Sequence, residues 1–186
     1  MVNPDTMVLA AQAESDGLEA ILVGGNAINL YAYSRTTFDV DLLVREQDAE
    51  RWLAFFKARR YAISQRTANF IRLRFEADPA GALPVDLMLA NEETFQRIQA
   101  ESHRCEVGHK LTLAVPSALH LIAMKLHALR NPHRVEKGID LQDVQHLIKT
   151  AKIDISLPDV RAILERYASD TIRRRIEEEF GSRPGA

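Results

Sequence analysis

The sequence predicts an α/β (α+β) fold in which a strand-and-helix segment carries a candidate site and an all-helical segment follows it. Two observations predict this. Short apolar runs at Ala20–Val23, Phe38–Val44, Phe70–Phe75 and Leu83–Ala90 read as strands, and stretches of helical period lie among them. From Pro116 onward every apolar repeat has helical spacing. The 186 residues suffice for one domain, or a catalytic core with a helical appendage. The division expected is a core over 1–114, a helical cap over 115–180 and a flexible tail over 181–186.

Composition narrows the function classes. Lys and Arg number 24 against 26 acidic residues, so a net charge of −2 provides no global field for nucleic acid, and any such contact must be local. The single cysteine, Cys105, excludes an internal disulfide and reads as an inert strand residue. With no leader pattern and no long apolar span, a cytoplasmic protein without a membrane segment is expected. Aromatic residues are 6% of the chain, which advertises no base-stacking platform.

Taken in order, Asp5 or Thr6 can cap a helix running through Glu14, closed by Asp16-Gly17, with Met7 and Leu9 covering the sheet. Ala20–Val23 then breaks on Gly24-Gly25, where the absence of side chains lets backbone N–H groups approach a ligand. Asn26 to Tyr33 reads as a helix whose N-terminus faces that ligand, so strand, turn and helix form an anion site. Phe38–Val44 is a strand in which Asp39 and Asp41 point to one side, their Cα atoms roughly 6–7 Å apart. Such carboxylates repel unless a cation or proton lies between them, and hard oxygen ligands at that spacing suit Mg²⁺. The plainer alternative is an ordinary glycine turn followed by a solvated strand end.

Gly24-Gly25, a short helix and Asp39-Val40-Asp41 in an apolar strand resemble the signature of the DNA polymerase β-like nucleotidyltransferase superfamily. Within it, Arg35-x-Thr37-x-Asp39-x-Asp41 is similar to the AbiEii-type abortive-infection toxin branch. The resemblance implies a mixed sheet with flanking helices, two Mg²⁺ ions held by three carboxylates, and transfer of a nucleotidyl group from an NTP.

Gln47 to Arg60 carries Trp52, Leu53, Phe55 and Phe56 among charged residues and reads as an amphipathic helix packed on the sheet. Tyr61–Ser64 and Phe70–Phe75 read as strands. In the second, Arg72 and Arg74 share one face, expected to be the solvated face of an antiparallel strand in preference to a phosphate clamp. Asp78 to Gly81 is a turn, and Leu83–Ala90 is an apolar strand interrupted by Asp86. A carboxylate there must be paired, hydrogen-bonded or metal-bound, unless the strand edge faces water. By resemblance, Asp86 is the third carboxylate, a metal ligand or general base, although Pro84-Val85 stands where a basic residue is expected just before it. Asn91 caps a helix to about Ser102, and Cys105–Ala114 forms a hairpin or edge strand turned at Gly108.

The helical part opens at Pro116, at a first-turn position. Leu119, Ile122, Leu126 and Leu129 form one stripe flanked by Leu121, and Lys125 projects into it, while His120 and His127 fall on the polar side. Such a lysine either snorkels to water or points into a cleft where an anion such as a triphosphate neutralises it. Asn131-Pro132 separates the next helix, and Lys137-Gly138 forms a loop. Asp140-Leu-Gln-Asp143 reads as a cap with an acidic first turn, ahead of a buried face of Leu141, Val144, Leu147 and Ile148. Leu157-Pro158 starts a third helix with Val160, Ile163, Leu164 and Tyr167 inward. Ser169 or Asp170 caps a fourth, whose Arg173–Arg175 and Glu177–Glu179 runs form a solvated face. Lys125, Arg130, Lys137 and Asp140-x-x-Asp143 are similar to the second block of the AbiEii-type toxins. This resemblance implies that Lys125 is a triphosphate or catalytic contact, that Asp140 or Asp143 is a site residue, and that Lys137 is a further nucleotide contact.

The expectation is therefore an Mg²⁺-dependent nucleotidyltransferase with Asp39, Asp41 and Asp86 as metal ligands. Gly24, Gly25 and Asn26 border the phosphate, Arg35 and Thr37 brace the DxD strand or touch phosphate, and Lys125 meets the triphosphate. The acceptor is RNA such as tRNA, with a cognate antitoxin, as the toxin branch implies. Two alternatives stand beside it: a small acceptor as in the antibiotic-modifying relatives, and a binding module without catalysis on the same fold.

Overall fold

In the computed structural model, residues 5–31, 35–76 and 82–181 are described, the side chains of residues 132, 136 and 137 excepted. The turn expected at Asp78–Gly81 and the tail after Gly181 lie outside the described residues, and the helix expected over Asn26–Tyr33 is corrected: it runs over Gly24–Asn29 and stops at Leu30. The chain forms two compact units, Met1–Leu30 with Ser34–Ser117, and Tyr31–Tyr33 with Ala118–Ala186.

The first unit is built on seven strands, β1 (Ala20–Val23), β2 (Val40–Arg45), β3 (Tyr61–Arg66), β4 (Phe70–Phe75), β5 (Val85–Ala90), β6 (His103–Gly108) and β7 (Leu111–Val115). Their order is β3-β4-β5-β2-β1-β7-β6. The sheet is mixed: β2 runs parallel to β5 and β1 to β7, and the other neighbours are antiparallel. All four residues of β1 are buried, as a central strand covered on both faces requires. The register aligns Val23 with Asp41, Asp41 with Asp86, and Asp86 with Arg72, so one row across four strands collects the charged residues of the sheet centre.

Asp5 starts α1 (Thr6–Gln12) by accepting hydrogen bonds from the N–H groups of Met7 and Val8, and Gly17, at φ +67°, ends the 3-10 turn that follows. Thr6, Val8, Ala10 and Ala11 are the covered side chains of α1, which packs on β6 and β7. Met7 and Leu9, expected in that role, are only half-buried. The helix lies on the sheet by its alanine face, which admits a closer approach than longer side chains would. α3 (Ala49–Lys57) buries Trp52, Phe55 and Phe56, and these rings continue into Tyr61 and Phe75 at centroid distances of 5.3 to 5.7 Å. α4 (Glu92–Ala100) is capped by Asn91, whose Oδ1 accepts from the N–H of Thr94. The β6–β7 hairpin turns through Gly108, His109 and Lys110, all at positive φ, and places β6 at the sheet edge.

The second unit is helical: α5 (Ala118–Ala128), α6 (Pro132–Lys137), α7 (Ile139–Thr150), α8 (Pro158–Tyr167) and α9 (Asp170–Phe180), with α5 packed on α7 and α8. Three local expectations are corrected. Asn131-Pro132 ends α5 but also begins α6: Asn131 Oδ1 accepts from the N–H of His133, and proline occupies the first turn. The cap of α7 is Gly138, at φ +69°, with no side-chain cap bond, so Asp140 does not cap its helix. Pro116, expected in the first turn of α5, lies two residues ahead of it. Ser169 caps α9 as expected, its hydroxyl accepting from the N–H of Ile172.

Candidate active site

β1 passes directly into α2 (Gly24–Asn29) at Gly24, whose φ of +65° lies in the left-handed region that glycine adopts without cost. A Cβ at Gly24 would stand 1.9 Å from Oδ2 of Asp41, and one at Gly25 would stand 2.4 Å from Cγ2 of Thr37 and 2.8 Å from Nη2 of Arg35. Both glycines are thus set by close approach of the segment they face. Asn26 ties that segment down: its Nδ2 donates to the carbonyl of Asp39 at 2.8 Å, and its Oδ1 accepts from the hydroxyl of Thr37 at 3.0 Å. Asn29 adds two bonds to the backbone of Arg35, at 2.9 and 3.0 Å. Side chains of α2 therefore set the path of residues 35–39, and Arg35 and Thr37 pack over Gly25.

Asp39 lies one residue ahead of β2, Asp41 is in β2, and Asp86 is opposite Asp41 in parallel β5. One oxygen from each carboxylate lies within 4.8 Å of the other two. Asp86 is buried, and Asp39 and Asp41 are half-buried. Oxygen donors gathered this closely are the set that hard divalent cations take, and the missing side chain at Gly24 leaves the space that Asp41 fills. The three residues could hold a metal ion.

Among the described residues, Arg72 supplies a cation to this cluster. Its Nε and Nη2 donate to Oδ1 and Oδ2 of Asp86, both at 2.6 Å, and Nη2 also donates to Oδ2 of Asp39 at 2.9 Å. The expectation that Arg72 belongs to a solvated strand face is corrected by the β4–β5 register, which sets it opposite Asp86 and leaves its side chain 29% exposed. Arg74, two residues on, is exposed as expected. Burial, opposed by the bonds from Arg72, leaves the Asp86 carboxyl above its ordinary pKa. The Asp86 carboxylate in turn raises that of Arg72 against the cost of burial. The basic partner that Pro84-Val85 does not provide comes from the neighbouring strand. Arg72 was visible to sequence reasoning only as half of an alternation, and the pairing needs the strand order.

In the second unit Lys125 is buried and donates to Oδ1 of Asp140 at 2.7 Å, with Oδ2 of Asp143 at 2.8 Å. Arg134, from α6, closes on Asp140 with Nε to Oδ2 at 2.6 Å and Nη2 to Oδ1 at 3.2 Å. Lys125 therefore neither snorkels to water nor stands in its buried stripe without an anion, because two carboxylates of α7 neutralise it. Burial opposes ionisation of Asp140, yet the bonds from Arg134 and Lys125 prevail and hold its pKa below the ordinary carboxylate value. Arg134 escaped sequence reasoning because α6 reads as a break between helices. The side chain of Lys137 lies outside the described residues.

Comparison with known proteins fits this geometry. The family model described as "Nucleotidyl transferase AbiEii toxin, Type IV TA system" matches residues 8–184. No curated protein matches the sequence. Among solved structures, an antigenic nucleotidyltransferase-like protein from Paracoccidioides brasiliensis is similar at a TM-score of 0.58 and 15% identity, over 96% of this chain and 91% of that one. The antibiotic-resistance factor ANT(2'')-Ia, in complex with adenylyl-2''-tobramycin, gives 0.63 and 15%, over 88% and 98%. The lincosamide antibiotic adenylyltransferase LnuA gives 0.54 and 13%, over 76% and 92%. At these identities the likeness is one of fold. The chain belongs to the AbiEii nucleotidyltransferase family.

Proposed function

We propose that this nucleotidyltransferase moves a nucleotidyl group from an NTP to an RNA acceptor such as tRNA, with Mg²⁺ at Asp39, Asp41 and Asp86, and that a cognate antitoxin restrains it in the cytoplasm. The observation that carries the reading is the convergence of the three carboxylates beside the Gly24 turn. When bound there, divalent cations supply charge neutralisation and alignment at the reacting phosphate.

The chain's own residues do the remaining work. Gly24 and Gly25 keep side chains out of the space above β2, and Asn26 fixes the backbone at Asp39, so the carboxylates are set before a ligand arrives. Such preorganisation matters because phosphoryl-type transfer depends mainly on positioning and charge. Arg35 and Thr37 brace the DxD segment through their contacts with Asn29, Asn26 and Gly25. In the second unit, the resemblance supports Lys125, Lys137, Asp140 and Asp143 as nucleotide contacts, with Lys125 also catalytic. Its ion pairs with Asp140 and Asp143 hold the ammonium in one place.

The test supplies each of four NTPs labelled at the α-phosphate, with Mg²⁺ and either total RNA, a small-molecule extract or no acceptor. Asp39→Ala and Asp41→Ala proteins run alongside. Label carried to RNA by the wild type alone is the expected result. Label on a small molecule would replace the RNA acceptor, and equal transfer by folded Asp41→Ala protein would sink the assignment of the site.

A further inference from the structure

Arg72 belongs to neither of the sequence blocks that mark the site, and it touches two of the three carboxylates at once. Its fork is bidentate on Asp86 and reaches Asp39 with the same Nη2 that binds Asp86 Oδ2. Those two carboxylates come from different segments, one just ahead of β2 and one inside β5. A single planar guanidinium therefore fixes the distance and the mutual rotation of both.

From this we infer that Arg72 is a positioning residue that presets the carboxylates for a divalent cation, and does not compete for the cation's place. This role rests on the proposed metal-dependent reaction and adds to it a residue outside the metal ligands. Three carboxylates within 4.8 Å of one another repel, and the Arg72 cation, bonded to two of them, offsets part of that repulsion while leaving negative charge for a divalent ion to balance. A carboxylate offers about four lone-pair sites, so Asp86 can accept the fork of Arg72 and still present electron pairs elsewhere. Arg72 is fixed by what surrounds it: Ile71 and Leu73 on either side are fully buried, and the antiparallel register with β5 holds its Cα opposite that of Asp86. Partners that orient metal ligands in this way change metal affinity by roughly 10–100-fold when removed. An arginine that occupied the metal position would have the opposite effect, since its removal would tighten binding.

The experiment measures Mn²⁺ affinity by titration calorimetry and by electron paramagnetic resonance on purified wild type, Arg72→Ala, Arg72→Gln, Arg72→Lys and Asp86→Ala, each checked for folding by circular dichroism. Expected is a loss of roughly tenfold or more in Arg72→Ala. Arg72→Gln, which keeps a donor for Asp86, and Arg72→Lys, which keeps the charge but not the fork, should lose less. The two milder variants carry the test if the alanine protein does not fold. Unchanged or tighter Mn²⁺ binding in folded Arg72 variants, with binding lost in Asp86→Ala, would overturn the positioning role and leave the metal site standing. Wild-type protein that takes up no Mn²⁺ would overturn both.

Discussion

Gly24 and Asp41 occupy one space: a Cβ on the glycine would lie 1.9 Å from Oδ2 of the aspartate, and the φ of +65° already disfavours any side chain there. The first residue of α2 is therefore chosen by a carboxylate seventeen positions later in the chain. Gly24→Ala should cost about 1–2 kcal/mol through the left-handed backbone alone, and should displace Asp41. Nucleotidyl transfer is expected to fall at least as far as metal affinity does, roughly 10–100-fold. Thermal denaturation together with a transfer assay checks this, and a fully active alanine variant would show that Asp41 does not need that space.

Asn26 commits its amide to the carbonyl of Asp39 and the hydroxyl of Thr37. Asn26→Ala should leave the fold in place at a cost of about 1–3 kcal/mol, the usual penalty for stranding part-buried polar groups. Transfer should drop by a larger factor than stability implies, because the DxD segment loses its anchor. Activity measured well below the melting temperature separates the two effects.

Lys125→Met would leave Asp140 and Asp143 buried, with the Arg134 bonds to Asp140 remaining. Removing one member of a buried ionic cluster typically costs about 3–5 kcal/mol, and chemical denaturation should show a loss of that order. The rescue is informative: Lys125→Met combined with Asp143→Asn should recover part of the stability without recovering nucleotide binding. If nucleotide binding returns along with stability, Lys125 serves the fold alone.

Asp140 provides a pH test. Its folded pKa lies below 3.8, the value of the unperturbed side chain. The stabilisation it contributes is thus present above pH 3.8 and is lost as the pH falls through the lower, folded value. Unfolding of the wild type on acidification below pH 3.8 should therefore include a component that Asp140→Asn lacks, followed by far-ultraviolet circular dichroism. Identical acid transitions in the two proteins would contradict the pairing with Lys125 and Arg134.

Local signals carried much of the fold. Phe70–Phe75 alternates over the same residues that form β4, Asn91 and Ser169 cap the helices they precede, and the DxD carboxylates converge, although Asp39 lies just ahead of the strand expected to carry both. The helix α6 was hidden because Asn-Pro is equally a break and a helix start, and only the bond from His133 N–H to Asn131 distinguishes them. Asp140 looked like a cap because aspartate at a helix start usually is one; the glycine before it took that position instead.

Spacing within single elements is enough to reveal the strand, glycine turn and DxD core, the isolation of Asp86 in an apolar run, and the placement of Lys125 on a buried stripe. What neutralises these charges emerges only when distant segments pack. Arg72 pairs with Asp86 and Asp39 because β4 lies beside β5 in that register, and Lys125 pairs with Asp140 and Asp143 because α5 packs on α7. A buried charge dictates that a partner must exist, since desolvation is too costly otherwise. Its identity depends on which distant segment arrives within about 3 Å, and that is a property of packing, which spacing along the chain does not encode.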